Sequence, residues 1–129
     1  MWADIELALM KGLRPLLPGV RVVDELPDKV ETRLPLVSVQ VAGGADDRVT
    51  DTVTVDIAAF AATRAAMWVL AEQARVAMHA LAATHISGMG LVIDTVETAS
   101  RPVEVPYGNP ALRRAIATYE VASRAQAPA

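Results

Sequence analysis

The fold of this chain is decided by a stretch in which apolar and polar residues alternate, Thr52-Val53-Thr54-Val55-Asp56-Ile57. A period of two is typical of a β-strand with one buried face. An earlier run, Val37-Ser38-Val39-Gln40-Val41, has the same period. Gly43 and Gly44 end that run, and an acidic turn follows them. The two runs therefore predict an antiparallel hairpin with a rather long loop.

A long helix is predicted after the hairpin, from about Thr63 to Ala83. Its apolar residues recur at helical spacing on one stripe, with charged residues opposite. We expect this stripe to pack on the sheet, which brings together Met67, Leu70, Ala74 and Met78 of the helix with Val39, Val55 and Ile57 of the hairpin.

The remaining elements are shorter. Asp4 is the predicted N-cap of a first helix, and Val20 to Leu26 forms a short strand or an extended arm. Two further strands are predicted, one over Leu91 to Thr98 and one around Ile116 to Val121, joined by a long proline-rich connection.

The predicted order is α-β-β-β-α-β-β, which has no alternating βαβ series. We therefore expect an α+β fold: an antiparallel (mixed) sheet of about four to five strands with two helices packed on one face. The length fits a single α+β domain over residues 1–124, and residues 125–129 are expected to form a flexible tail.

Composition argues against several classes of protein. The net charge is −3 with both signs interspersed, which is not the pattern of a protein that grips duplex DNA. The chain has no cysteine, so disulfides and thiolate nucleophiles are excluded. We expect no secretory leader and no membrane span, because charged residues interrupt both the start and the alanine-rich stretch near residues 58–83.

No residue pattern predicts catalysis or a cofactor. His79 and His85 are six residues apart, so on a helix they cannot act as an i, i+4 metal pair. Asp46, Asp47 and Asp51 could offer oxygens to a hard cation, but they lack EF-hand spacing, and a solvated hairpin tip is the favoured interpretation. The chain also has no GxSxG nucleophile motif. We expect a protein that is not an enzyme and needs no metal or cofactor.

The features that remain suit contacts with other proteins. One group of candidate interface residues lies at the hairpin tip and the other beside the proline-rich connection: Asp46, Asp47 and Arg48, and Tyr107, Arg113 and Arg114. Carboxylates in one group and arginines in the other could pair head to tail between subunits in a closed ring. For Tyr107, an interface and an ordered loop are equally favoured.

Three segments carry a family resemblance: the hairpin ending in Val53-Thr-Val-Asp-Ile-Ala-Ala-Phe60, the alanine-rich helix from Thr63, and Arg114-Ala-Ile-Ala-Thr-Tyr-Glu-Val121. In this arrangement the chain resembles tail terminator proteins of long-tailed bacteriophages over nearly its whole length. The resemblance implies a structural protein that forms a hexameric ring, caps the tail tube and ends its polymerisation.

The resemblance also implies partners and a location. The ring would contact the tail tube protein and join the tail to the head-side connector or stopper protein. Genome DNA would pass through the lumen without specific binding, and the protein would reside in the tail or neck of the virion after assembly in the host cytoplasm. Two alternatives stay open: another phage neck or head-completion protein, and a cellular α+β ligand-binding or regulatory domain.

Overall fold

The computed structural model describes residues 4–46, 51–86 and 88–125. Six strands and two α-helices occur in these ranges, with short 3-10 turns at Arg14–Leu16 and Val30–Thr32. In chain order the elements are α1 (Ile5–Leu13), β1 (Arg21–Val23), β2 (Leu36–Asp46), β3 (Asp51–Ala61), α2 (Arg64–Ala80), β4 (Thr84–Ile86), β5 (Leu91–Glu104) and β6 (Arg113–Ala125).

All six strands belong to one mixed sheet with the order β1-β2-β3-β6-β5-β4, which curls into a half-barrel. β1 and β2 are parallel, and every other neighbouring pair is antiparallel. The predicted hairpin is confirmed, because β2 and β3 pair from Leu36 opposite Phe60 to Asp46 opposite Asp51. β6 pairs with the other edge of β3 and separates the hairpin from β5.

The predicted fold class is wrong. An α+β domain with four to five strands and two helices on one face was expected, whereas the structure is mostly β, with six strands in a half-barrel and only two helices in the described residues. β4 was missed because a three-residue strand shows no period, and its pairing with β5 alone defines it. β5 runs past Thr98 to Glu104 because register shifts against β6 accommodate Pro102.

The large core lies between the sheet and both helices. The stripe predicted on α2 is confirmed, since Met67, Leu70, Ala74 and Met78 are buried in one cluster with Val39, Val55 and Ile57. α1 adds Ile5, Leu9 and Leu13 to the same cluster. Caps define where the helices begin: Asp4 Oδ1 accepts from the Leu7 N–H at 3.0 Å, as predicted, and Thr63 Oγ1 accepts from the Ala66 N–H at 3.1 Å.

A second, smaller cluster lies on the opposite face of the sheet. Side chains alternate along β3, so Phe60 points away from the face that Ala59 and Ala61 share with the helices. Phe60 is buried together with Val30 and Leu112, which come from the segments before β2 and before β6. Two connections therefore cover this part of the sheet, and β3 is buried on both faces at its end.

Neighbouring residues on α2 test this assignment. Leu70 is 3% exposed and Val69 is 59% exposed. Leu70→Asp should place an unpaired charge in the core and cost several kcal/mol, enough to unfold a marginal domain. Val69→Asp should change the free energy of unfolding by no more than about 0.5 kcal/mol. Chemical denaturation followed by circular dichroism measures both, and equal stability of the two variants would contradict the assigned helix face.

Candidate functional site

The strand registers place the backbone of Asp46, the described member of one predicted interface group, at the opposite end of the sheet from Arg113 and Arg114. We call the end where Ala61 pairs with Arg113 the base, and the end where Asp51 pairs with Ser123 the tip. Ten residues of extended chain separate the two ends, which is roughly 33 Å. Tyr107, Arg113 and Arg114 lie together at the base, while β2 ends and β3 begins at the tip.

Arg114 fixes the connection that precedes β6. Its Nη2 donates to the Pro106 carbonyl at 2.9 Å, and its Nε donates to the Val105 carbonyl at 3.4 Å. Its guanidinium also lies 5.0 Å from the ring centroid of Tyr107. Tyr107 in turn meets Phe60 edge to face, with ring centroids 5.3 Å apart. Both predicted contact residues are therefore used within the chain to hold a loop on the small cluster.

Other polar contacts tie the same connection down. Asn109 Nδ2 donates to Glu31 Oε2 at 3.2 Å, and Asn109 Oδ1 accepts from the Ala111 N–H at 2.9 Å. Gly108 adopts φ +84°, a conformation that favours glycine. The connection and its neighbours line a groove of about 660 Å³. The base is thus an ordered surface, and Tyr107 is a half-buried part of it.

Arg113 differs from Arg114 because it points to solvent. Its Nη1 donates to Glu104 Oε2 at 3.0 Å, and Arg64 approaches the other oxygen of Glu104 at 3.5 Å. One carboxylate is shared by two largely exposed guanidinium groups, so the base keeps a net positive charge at this point. Sequence reasoning missed Arg64 and Glu104, because only the fold brings the start of α2 beside the end of β5.

The acidic group at the tip is only partly described. Asp46 is the last residue of β2 and pairs with Asp51 through the backbone. The side chain of Asp46, and Asp47 and Arg48 as a whole, lie outside the described residues. Their predicted contact with arginines of a neighbouring subunit stays a prediction.

A further acidic surface, not anticipated from the sequence, lies on the face of the sheet opposite the helices. Glu97 of β5 is directly opposite Glu120 of β6, and both are exposed. Asp56 of β3 lies on the same face and accepts a hydrogen bond from Thr118 Oγ1 at 2.8 Å. Like charges in directly opposed positions destabilise a strand pair. Only the register of three strands reveals this placement.

Polar groups also meet under α2. His79 Nε2 lies 2.7 Å from Thr98 Oγ1, and the His79 ring packs edge to face on Tyr119 with centroids 6.1 Å apart. Tyr119 is fully buried, and its hydroxyl has no hydrogen-bond partner among the described residues. Burial raises the pKa of Tyr119 to about 12. His85 lies on β4, so the two histidines occupy different elements.

One ion pair on α2 stands out for its electrostatic effect. Arg75 Nε donates to Glu72 Oε2 at 2.9 Å, one turn away. This hydrogen bond lowers the pKa of Glu72 and raises the pKa of Arg75. Because both groups are on the surface, the pair is screened by solvent and adds little to stability.

No group of three or more His, Asp or Glu side chains that could hold a metal ion occurs within residues 4–46, 51–86 and 88–125. Neither helix in these ranges has the length and apolar character that crossing a bilayer requires.

The mostly β half-barrel has a charged surface at its base, and comparison with protein families identifies its class. The family model described as phage tail termination protein matches residues 1–125. The chain therefore belongs to this family of bacteriophage tail proteins, which confirms the resemblance found in the sequence. Membership implies association with phage tail components and a location in the virion. No curated protein matches the chain in sequence.

The two arginines at the base should differ in their effect on stability. Arg114→Ala removes a charged hydrogen bond to Pro106 and the contact with Tyr107, and we expect a loss of about 2 kcal/mol. Arg113→Ala removes one surface ion pair and should cost less than about 1 kcal/mol. Denaturation measures the free energies, and hydrogen exchange should show faster exchange for the connection in Arg114→Ala only. Equal effects in both variants would show that Arg114 does not hold the connection.

The unpaired hydroxyl of Tyr119 predicts a pH-dependent difference between the parent and Tyr119→Phe. At pH 8 the variant should be as stable as the parent or up to about 1 kcal/mol more stable, because no hydrogen bond is lost. The pKa of Tyr119 is about 12 in the folded protein and 10 in the unfolded chain. Between these values the hydroxyl ionises in the unfolded chain but not in the folded protein, which favours unfolding. The parent should lose stability relative to the variant as the pH rises from 10 to 12.

Urea denaturation of both proteins at pH 8 and at several values above pH 10 isolates this difference, since other groups titrate equally in both. A variant that is clearly less stable at pH 8 would mean that the Tyr119 hydroxyl has a hydrogen-bond partner in solution.

Proposed function

We propose that this protein forms a ring of six subunits that caps the finished tail tube, ends its polymerisation and joins the tail to the head-side connector. The observation that carries the proposal is the match to the phage tail termination family over residues 1–125. The tail tube protein and the connector or stopper protein are the proposed partners. The role is structural and not enzymatic.

The charge arrangement supports a head-to-tail ring. Arg113 and Arg64 share a single carboxylate at the base, so positive charge remains for a partner. Carboxylates lie elsewhere, on the face that carries Glu97 and Glu120 and at the tip that carries Asp51. Unlike surfaces at different places on one subunit are what a heterologous ring contact requires, and repetition of the contact can close the circle.

The overall charge supports passage of DNA through such a ring. The chain carries a net charge of −3, and tight non-specific binding of DNA depends on lysine and arginine neutralising phosphates. A conduit built from this chain would repel the phosphate backbone more than it would hold it. We therefore propose that the genome crosses the lumen without specific contacts.

Charge reversal at the base tests the ring. Arg113→Glu should weaken every junction at once, while leaving the fold intact, because Arg113 is exposed and its one ion pair with a described residue is at the surface. Arg124→Glu is the matched control: Arg124 pairs with Asp94 at 2.9 Å near the tip and is similarly exposed, at 47% against 54%. Arg114 is left unchanged because it holds the connection.

Electron microscopy of the protein mixed with growing tail tubes gives the readout. The parent and Arg124→Glu should form rings with a central hole and stop tubes at a defined length, whereas Arg113→Glu should leave tubes uncapped. A parent protein that neither forms rings nor stops tube growth would refute the proposed function. Normal capping by Arg113→Glu would refute only the role of this arginine.

A further inference from the structure

The sheet has a free edge along the second half of β2. β1 covers β2 only as far as Ser38, which pairs with Val23. Among the described residues, no strand pairs with this edge beyond that point. All five residues from Gln40 to Gly44 are exposed, and Val41 keeps 37% of its surface in contact with solvent. A free strand edge of this kind presents unpaired backbone groups to another chain.

The backbone orientation identifies which groups point outward. The Arg21 N–H donates to the Pro35 carbonyl at 3.2 Å, so Pro35 faces β1. Backbone direction alternates along a strand, so Val37, Val39 and Val41 direct their N–H and C=O groups to the same side, away from β3. The N–H and C=O of Val41 lie beyond the end of β1 and face the free edge.

The small residues on this edge favour close approach of another backbone. The segment reads Val41-Ala42-Gly43-Gly44-Ala45. At Gly44 a Cβ would lie 2.7 Å from the Thr52 carbonyl oxygen, so packing within the chain explains that glycine. At Gly43 a Cβ would meet nothing within 4 Å, and yet glycine weakens a strand. Gly43 adjoins the register shift that follows Val41, and a strand glycine of this kind marks a bulge or a site where a second backbone comes close.

This part of β2 has one usual protection of an edge, a register shift against β3 between Val41 and Gly43, but lacks proline and charge. The segment Val41 to Ala45 contains no proline and no charged residue. The outer edge of β5 is interrupted more often, because it carries Pro102 and three register shifts. Its regular free stretch, Thr95 to Thr98, begins just after the residues that β4 covers. Proteins commonly protect exposed edges with proline or charge as well, so an edge that lacks both favours a partner strand.

The two free stretches lie at the same position along the direction of the strands, which we call their height in the sheet. Val41 pairs with Val55, Val55 with Tyr119, and Tyr119 with Thr98, which forms one row across the sheet. A second row runs from Ala45 to Thr95 in the same way. Three successive antiparallel pairings also make β5 run opposite to β2. Rotation about a ring axis parallel to the strands preserves heights and directions, so the two edges can meet as antiparallel strands.

We infer that the β2 edge from Val41 to Ala45 of one copy pairs, backbone to backbone, with the β5 edge from Thr95 to Thr98 of a second copy. The inference rests on the proposed ring and assigns its junction to the sheet edges. In this arrangement the bases of neighbouring subunits lie at the same height, roughly 33 Å from the tips, so the edge pairing is an alternative to the charge contact proposed for Arg113. Repetition around the ring would join the half-barrel sheets into one closed sheet without free edges at this level. The partner is thus a strand of this same chain and not a loop, a ligand or nucleic acid.

Val41→Pro tests the backbone contact, because it removes the outward N–H while leaving the hydrogen bonds between β2 and β3 in place. Val41→Thr is the matched control, since it keeps the N–H and the β-branched shape. Val41→Pro should weaken subunit association at least about tenfold at each junction, while Val41→Thr should assemble like the parent. Analytical ultracentrifugation and electron microscopy measure assembly, and thermal melting of the isolated subunit confirms folding.

A cross-linking experiment keeps the inference testable if Val41→Pro does not fold. The chain has no cysteine, so Ala42→Cys with Ala99→Cys introduces a defined pair of exposed thiols, one beside each edge. Within one subunit β3 and β6 separate the two positions by about 14 Å, too far for a disulfide. A short bismaleimide should therefore yield a covalent ladder up to the ring size. Ala42→Cys with Ala65→Cys, which places the second thiol on α2, should yield far less.

The outcomes separate this inference from the proposed function. Rings that form normally with Val41→Pro, together with equal cross-linking in both cysteine pairs, would overturn the edge pairing and leave the ring standing. A parent protein that forms no rings and caps no tubes would overturn both. A ladder specific to Ala42 and Ala99, with loss of assembly in Val41→Pro, would establish the junction.

Discussion

The pairing of β3 with β6 is the constraint on which the rest of the structure depends. Eleven residue pairs, from Asp51 opposite Ser123 to Ala61 opposite Arg113, follow one another without a register shift. Since a shift of one residue would turn every side chain to the other face, this pairing sets which residues meet the helices and which meet the connections. It also joins segments that are more than fifty residues apart in the sequence. The hairpin alone would leave one edge of β3 open.

The register of this central pair also decides how charge is distributed. It places Arg113 and Arg114 side by side in sequence but in different environments, because successive residues of a strand point to opposite faces. Arg114 contacts Tyr107 and donates a hydrogen bond to the connection, whereas Arg113 lies at the surface and donates to Glu104. A contact surface for other tail proteins therefore has to be argued from the environment of each residue and not from the residue type.

Part of the candidate site was predictable from sequence because its members are close along the chain. Tyr107, Arg113 and Arg114 do gather at one end of the sheet, as their spacing around the proline-rich connection indicated. Their internal contacts were not predictable, since they depend on Phe60, which lies more than forty residues away. The free edge of β2 could not be predicted from the sequence either. It depends on where β1 ends, and the strand or arm predicted over Val20 to Leu26 did not show that pairing stops at Val23.

The sequence by itself determined the local elements and the family. Periods of two and of 3.6 predicted the β2–β3 hairpin and the buried stripe of α2, because burial of one face imposes those periods on the side chains. Tertiary structure alone decided the fold class. β4, the extension of β5 past Pro102 and the covered opposite face all depend on hydrogen bonds and contacts between distant segments. Such contacts impose no periodic pattern on the sequence. They can therefore be identified only in the folded structure.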